Sequence, residues 1–72
     1  MKSVDYYNDL PYKVRIIPNK KKDTFVVDYP QLPEVVSEGK TIEEALTKAR
    51  KAKYEWLSMA VKNGKKIAEP DD

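Results

Sequence analysis

The sequence predicts an α+β fold, in which one long helix packs on one face of a three- to four-stranded, mainly antiparallel sheet in the order β-β-β-α-(β). Segments rich in β-branched and aromatic residues fill the first half of the chain, as is typical of strands. A long stretch of the second half repeats apolar residues at helical spacing. The length of 72 residues is that of one domain.

The first strand is predicted over Tyr12–Ile17, after a polar arm at residues 1–10 that Tyr6 or Tyr7 would dock onto the domain. Apolar and basic residues alternate along this strand, so one of its faces should be buried. The alternating residues are Tyr12, Val14 and Ile16 on one face and Lys13 and Arg15 on the other.

The second strand is predicted over Thr24–Tyr29, after a polar hairpin connection. Its inward-facing residues should be Phe25, Val27 and Tyr29. Pro30 and Pro33 then bracket a corner, because a proline fixes its own φ and favours extended geometry in the residue before it. A short third strand is predicted over Val35–Ser37, and Gly39 offers a position for positive φ at the following turn.

The helix is predicted from Ile42 to about Asn63. Thr41 and Glu44 fit a capping box at its start, and Gly64 is a typical residue just past a helix end. Its apolar stripe comprises Ile42, Ala45, Leu46, Ala49, Ala52, Trp56, Leu57, Met59 and Ala60. Lys53 lies within the stripe, so its stem should cover apolar surface while its amine reaches water. The tail Ile67–Asp72 is a candidate for a fourth short strand.

The composition bounds the chemistry of the chain. Cysteine and histidine are both absent, which removes thiolate nucleophiles, disulfides, the usual neutral-pH acid or base and the commonest metal ligand. No apolar run approaches the length of a membrane span. We therefore predict no catalytic residues, no cofactor and no metal site, and no association with a membrane.

The net charge of +2 hides two segments of opposite sign. Residues 23–44 carry six acids and one lysine, for a net charge of −5, whereas residues 45–66 carry seven bases and one glutamate, for a net charge of +6. Such asymmetry bears on the partners of a protein and not on its fold.

The ordered set of motifs resembles the HicB-type antitoxins. A strand is followed by the corner Tyr29-Pro30-Gln31-Leu32-Pro33, a short strand, the run Gly39-Lys40-Thr41-Ile42-Glu43-Glu44-Ala45-Leu46 and an amphipathic helix. Further similarities lie in the leader Asp5–Tyr12, the first strand with Pro18, the pair Trp56-Leu57 and the closing Ile67-Ala68-Glu69-Pro70. The chain departs from the family where glycines are common, at Asp23-Thr24 and at Glu34.

The resemblance implies a partial ribonuclease H-like domain over residues 1–72, with its core at 11–70. It also implies the antitoxin of a type II toxin–antitoxin system, which occludes a small basic messenger-RNA-cleaving toxin of the HicA type. We expect a non-enzymatic cytoplasmic protein that forms a homo-oligomer. Many family members continue into a DNA-binding domain; we expect none within this chain, and therefore no binding of nucleic acid by this chain alone.

Candidate partner-binding residues come from the acidic segment and the proline-bounded corner. They are Asp28, Tyr29, Leu32, Glu34 and Glu38. The acids would complement a basic toxin. The corner could be a recognition surface, or it could merely turn the chain with Leu32 tucked inward.

Three alternatives remain open. The chain could be a stand-alone interaction module, or an orphan family member that has no toxin. A small metal-dependent nuclease with Asp28 as a ligand is disfavoured, because the other acids have local explanations in a turn and in the first helical turn.

Lys20-Lys21-Lys22 could contact nucleic acid, although a solvated hairpin is the commoner reading. Trp56 is assigned to the core.

Overall fold

The computed structural model describes residues 2–70 and contains one sheet and two helices. The elements in chain order are α1 (Val4–Asn8), β1 (Arg15–Asn19), β2 (Thr24–Tyr29), β3 (Leu32–Gly39) and α2 (Ile42–Lys62). The strands form a single antiparallel sheet in the order β1-β2-β3, and α2 packs mainly on β3 and less on β2. The predicted α+β class is confirmed, with the short helix α1 added before the sheet.

Both ends of α2 are capped by the residues that the sequence indicates. The Thr41 hydroxyl accepts a hydrogen bond of 3.0 Å from the Glu44 backbone N–H. Glu44 itself forms an ion pair of 3.1 Å with Lys48, one turn along the helix. At the other end Gly64 has a φ of +68°, and the N–H groups of Gly64 and Lys65 bond to carbonyls of the last turn. This arrangement is a Schellman motif, which satisfies carbonyls that the helix leaves open.

The core lies between α2 and the sheet. It comprises Tyr12, Val27, Tyr29, Leu32, Val35, Ala45, Ala49, Leu57, Ala60 and Ile67. The alanines of α2 let the helix backbone approach the sheet closely, while Leu57 fills the space between them. Val27 and Tyr29 are buried and Phe25 packs against the core, so the inward face predicted for the second strand is confirmed.

The first strand begins later than predicted, and its predicted burial is confirmed for Tyr12 but wrong for Val14 and Ile16. β1 spans Arg15–Asn19, and the side chains of Val14 and Ile16 are 46% and 40% exposed. Ile16 pairs with the core residue Val27, so its side chain lies on the helix side of the sheet. Because α2 sits over β3 and β2, nothing among residues 2–70 covers this side of β1 fully. The alternation identified the correct face, but burial depended on where the helix packed.

The third strand is longer than predicted, because the corner is tighter. Pro30 and Gln31 alone make the turn between β2 and β3, and Tyr29 pairs directly with Leu32 beside an irregularity in the register. Pro33 lies inside β3, which is an edge strand, where a residue without an N–H is tolerated. Leu32 is buried in the core.

Gly39 is needed for close packing and not for a positive φ. The described residues with positive φ are Asp23, at 56° in the β1–β2 connection, and Gly64. A Cβ atom built on Gly39 would lie 2.7 Å from the backbone nitrogen of Ala45, in the first turn of α2. The absence of a side chain at Gly39 therefore allows the start of α2 to rest against the end of β3.

Two residues of the predicted helical stripe are exposed. Ile42 is 44% and Met59 is 57% exposed, whereas the other stripe residues are buried or partly buried. Met59 lies at the margin of the stripe, whereas Ile42 is the first residue of α2 and lies at the end of the helix. Trp56 is partly buried against the core, as the sequence predicted.

The N-terminal arm contains the helix α1, which the sequence analysis missed. The Ser3 hydroxyl caps this helix by accepting a hydrogen bond of 3.2 Å from the Tyr6 N–H, and Tyr7 packs against the core.

No strand forms over Ile67–Pro70, although the sequence indicated one there. Instead Ile67 is buried, and the Tyr12 hydroxyl donates a hydrogen bond of 2.6 Å to the Ala68 carbonyl. The rest of the predicted tail strand, at 71–72, lies outside the described residues.

Candidate functional site

One face of the sheet is open, and we call it the outer sheet face. Val27 points into the core beneath α2, so its neighbours Val26 and Asp28 point to the opposite side. The residues paired with them share that side. The outer sheet face therefore comprises Arg15, Ile17, Asn19, Thr24, Val26, Asp28, Val36 and Glu38.

Asp28, the first candidate partner residue, lies on this face and is bound to Arg15. The Arg15 Nε and Nη2 atoms donate hydrogen bonds of 3.1 and 2.7 Å to the two carboxylate oxygens of Asp28. This pairing raises the pKa of Arg15. Asp28 was also the best candidate for a metal ligand, and among residues 2–70 no group of three or more acidic side chains is placed to hold a metal ion.

Glu38 also lies on the outer sheet face, two residues beyond Val36. The Thr24 hydroxyl donates a hydrogen bond of 2.5 Å to its carboxylate, and the Asn19 amide donates another of 3.5 Å. The bond from Thr24 is the main reason why the pKa of Glu38 is lowered. Glu38 is therefore ionised at neutral pH and held in place by its cross-strand neighbours.

Glu34 lies elsewhere, beside the C-terminal half of α2. Its carboxylate accepts a hydrogen bond from the Trp56 indole N–H and lies 3.7 Å from the Lys65 amine. These contacts link β3 to α2 and to the segment after it.

Tyr29 and Leu32 lie in the core and offer almost no surface. Their side chains are 5% and 1% exposed. The structure thus brings Asp28 and Glu38 together on the outer sheet face, places Glu34 near Trp56, and buries the two corner residues. The five candidates do not form one surface.

Three exposed apolar residues lie on or beside β1. Val14 and Ile16 are exposed on the helix side of the sheet, and Ile17 is exposed on the outer sheet face. We call these three residues the β1 patch, whereas the exposed Val36 lies on β3 at the opposite edge of the sheet. β1 is an edge strand, so its outer edge also presents backbone N–H and C=O groups that can pair with another chain. The sequence alternation could not reveal this patch, because it predicted burial for Val14 and Ile16.

The two ends of the described chain are joined by a cluster that we call the terminal clasp. The Tyr6 hydroxyl donates a hydrogen bond of 2.8 Å to Glu69, and the Lys2 amine forms an ion pair of 3.1 Å with the other carboxylate oxygen. These two bonds lower the pKa of Glu69, with the larger effect from Tyr6. The Lys2 amine also lies 4.7 Å from the centre of the Tyr6 ring.

A cleft on the helix side of β1 was not expected from the sequence. It has a volume of about 370 Å³, and we call it the cationic cleft. Its lining residues are Asn8, Tyr12, Val14, Tyr29, Leu46, Arg50 and Lys53. The sequence did contain a signal, since Lys53 falls inside the apolar stripe with Arg50 one turn before it.

The amine of Lys53 also contacts protein groups, which the sequence did not predict. It donates a hydrogen bond of 3.3 Å to the Asn8 carbonyl at the end of α1. It lies 5.3 and 5.9 Å from the ring centres of Tyr29 and Tyr12. Burial, and then repulsion by Arg50, lowers the pKa of Lys53, while Asp9 opposes this shift.

The lysine run and the possibility of a membrane-spanning helix were also considered in the sequence. Lys20, Lys21 and Lys22 are exposed in the connection between β1 and β2, and the Lys22 N–H bonds to the Asn19 side chain at 3.4 Å. Within the described part of the chain, no helix is both long and apolar enough to cross a membrane.

Comparison with known proteins identifies the family. The family model described as "HicB_like antitoxin of bacterial toxin-antitoxin system" matches residues 12–72. The comparisons with curated proteins and with solved structures gave no match. The matched range begins at the buried Tyr12 and includes the whole sheet and α2. The chain therefore belongs to the HicB-like antitoxin family of bacterial toxin–antitoxin systems.

Proposed function

We propose that this antitoxin binds and occludes a small basic messenger-RNA-cleaving toxin of the HicA type. The family match over residues 12–72 carries the proposal, since the family is defined by its place in toxin–antitoxin systems. In this proposal the chain is a single, partial ribonuclease H-like domain that acts in the cytoplasm, without enzymatic activity and without binding nucleic acid itself.

The β1 patch and the adjoining outer sheet face are the surface that we assign to the toxin. Three exposed aliphatic side chains lie on or beside an edge strand whose outer edge can pair with another strand. Exposed apolar residues that lie together are typical of protein interaction sites. A toxin seated on β1 would contact both of its faces at once.

The acids of the outer sheet face would act at the rim of this interface. Asp28 and Glu38 are already engaged by Arg15 and Thr24, so a toxin side chain would join an ordered polar network. Charges at a rim mainly affect the association rate and its salt dependence. Glu34 is set apart from β1 by its contacts with α2, and we assign it the structural role of joining β3 to α2.

A stand-alone interaction module is the second candidate, and the β1 patch supports it equally, because exposed apolar residues are typical of binding sites for many kinds of protein partner. In that case the same surface would bind a protein that is not a ribonuclease. A metal-dependent nuclease would require Asp28 to leave Arg15 and to find further carboxylate ligands.

The proposal is tested by co-expressing this chain with the small basic protein encoded beside it. We expect the toxin alone to stop growth and to degrade messenger RNA, and co-expression to restore both. A matched pair of variants locates the interface: Ile17→Glu should abolish protection, whereas Met59→Glu on the exposed face of α2 should retain it. Cells that remain unprotected by the soluble wild-type chain would contradict the proposal.

A further inference from the structure

The cationic cleft holds two positive charges that lack a carboxylate partner. Arg50 and Lys53 are one turn apart on α2 and both line the cleft. Among residues 2–70, no ion pair joins either of them to an acid. Asp9 attracts Lys53 without pairing with it. The described residues therefore leave both positive charges of the cleft without a carboxylate partner.

The position of Lys53 is fixed before any ligand arrives. Its amine is held between the Asn8 carbonyl and the rings of Tyr29 and Tyr12. One hydrogen bond is formed, whereas an ammonium group has three donors. An anion that enters the cleft would thus meet a partly buried cation that already has protein partners, and such preorganisation favours binding.

The remaining walls of the cleft are apolar and continue into the β1 patch. Val14 belongs to both, and Leu46 forms the opposite wall on α2. A volume of about 370 Å³ is at the small end of ligand pockets and suits one side chain with its neighbours better than a whole cofactor. A partner seated on β1 would pass directly over its opening.

We infer that the cationic cleft binds a carboxylate side chain that a protein partner presents between apolar residues. The inference rests on the proposed function in one respect, namely that the occupant of the neighbouring β1 patch is a protein. The carboxylate would accept hydrogen bonds from both Arg50 and Lys53, while the flanking apolar residues would contact Val14 and Leu46. A basic side chain at the same point of a partner would be repelled, so the cleft selects among partners as well as binding them.

A protein carboxylate suits this site better than a nucleic acid phosphate. The rings of Tyr12 and Tyr29 are buried, at 8% and 5% exposure, and serve Lys53. They offer no open aromatic face on which a base could stack. Val14 and Leu46 line the cleft with aliphatic groups, whereas a bound strand needs positive charge along its backbone.

Three capped tripeptides that differ at one residue test the chemistry. The probes are acetyl-Leu-Glu-Leu-amide, its Gln counterpart and its Lys counterpart, titrated into the ¹⁵N-labelled full chain and followed by amide chemical shifts. We expect the Glu peptide to shift the amides of Asn8, Arg50 and Lys53. It should bind at least about fivefold more tightly than the Gln peptide, because charge-assisted hydrogen bonds are the stronger ones, and the Lys peptide should not bind.

Two cleft variants and one control locate the effect. Lys53→Met keeps the length of the side chain and removes its charge, and Arg50→Gln removes the second charge at an exposed position. Both should reduce binding of the Glu peptide at least about fivefold. Lys51→Met makes the same change of net charge at an exposed residue outside the cleft and should bind like wild type. Because Arg50 is exposed, its replacement tests the site even if Lys53→Met lowers stability.

Several results would overturn the inference. These are equal affinity for the Glu and Gln peptides, shifts confined to residues outside the cleft, or undiminished binding by Arg50→Gln. Tighter binding of a tetrauridylate than of the Glu peptide at the same amides would assign the cleft to nucleic acid instead. Toxin binding is measured separately with the same variants: a wild-type chain that does not bind the toxin refutes the proposed function, whereas the peptide comparison still decides the chemistry of the cleft.

Discussion

Arg15 and Asp28 face each other across β1 and β2 and are joined by two nearly parallel hydrogen bonds, of 3.1 and 2.7 Å. The pair holds the edge strand to the centre of the sheet on the face that α2 does not cover. It also engages the carboxylate that the sequence offered both as a partner contact and as a metal ligand.

Replacement of Asp28 by asparagine should weaken the sheet modestly. The Arg15 side chain is largely exposed, and exposed ion pairs contribute little to stability, so we expect only a small decrease in the free energy of unfolding. Urea denaturation measures the change. Asp23→Asn is the matched control, because Asp23 lies in a turn with a φ of 56°, which asparagine adopts readily. An equal loss in both variants would mean that the Arg15–Asp28 pair contributes nothing of its own.

A methyl group at position 39 should force β3 and α2 apart. The Cβ atom of Gly39→Ala would lie 2.7 Å from the Ala45 nitrogen, and such overpacking costs about 1–3 kcal/mol. Thermal and urea denaturation should show this loss against a total stability of roughly 4–11 kcal/mol for a domain of this size.

The control for this variant separates crowding from backbone strain. A Cβ atom at Gly64 has nothing within 4 Å, although its φ is +68°, so Gly64→Ala should cost about 1–2 kcal/mol from conformation alone. Because the neighbour of Gly39 is a backbone atom, Ala45→Gly should not rescue Gly39→Ala. Rescue by that second change would show that the side chain of Ala45 is the obstacle.

These positions also show which features of the fold could be predicted from the sequence. β2 and α2 were predicted closely, since Val27 and Tyr29 alternate cleanly and Thr41 and Gly64 carry local capping chemistry. The exposure of Val14 and Ile16 could not be predicted, because it depends on which strands the helix covers. The role of Gly39 depends likewise on a contact between two elements and not on its own backbone.

The cationic cleft could not be predicted from the periodicity of apolar residues, because it also depends on a contact between two elements, α1 and α2. Helix α1 has five residues, too few to show an apolar repeat, although Ser3 and Asp5 are suitable for a helix start. Without α1 there is no Asn8 carbonyl beside Lys53, and the lysine is expected to reach solvent. Asp28 was placed correctly in the second strand, whereas Glu34 and Glu38 lie inside β3, beyond the bounds predicted for the third strand. The sequence did not reveal the partners of these acids.

Stability should depend on pH through the terminal clasp. Folding lowers the pKa of Glu69 below its ordinary value of 4.5, so its ionised form is favoured in the folded state. The resulting stabilisation is complete above about pH 4.5 and is lost as the pH falls through the folded pKa.

The melting temperatures of wild type and Glu69→Gln should therefore differ most near neutral pH and converge in acid. Glu55→Gln serves as a control, since Glu55 is exposed on α2 and forms no ion pair with another residue of the range 2–70. A difference that stays constant from neutral to acidic pH would show that the Glu69 carboxylate does not stabilise the fold through its charge.

In the absence of a partner, the β1 patch should drive self-association, most simply as a dimer. An open edge strand with aliphatic residues on both faces favours pairing with a second copy. Sedimentation at tens of micromolar should show a dimer for wild type and a monomer for Ile16→Glu. Met59→Glu, which adds the same charge at a more exposed apolar residue, should remain dimeric. Wild-type protein that sediments only as a monomer would contradict this prediction.

The occlusion of a ribonuclease toxin is tested most directly with purified components. The toxin encoded beside this chain is incubated with a messenger RNA at a fixed concentration, and the chain is added in increasing molar ratio. We predict that cleavage falls to background near stoichiometric equivalence, and that Ile17→Glu, added at the same ratios, leaves cleavage intact. Full cleavage in the presence of a molar excess of folded wild-type chain would contradict the account.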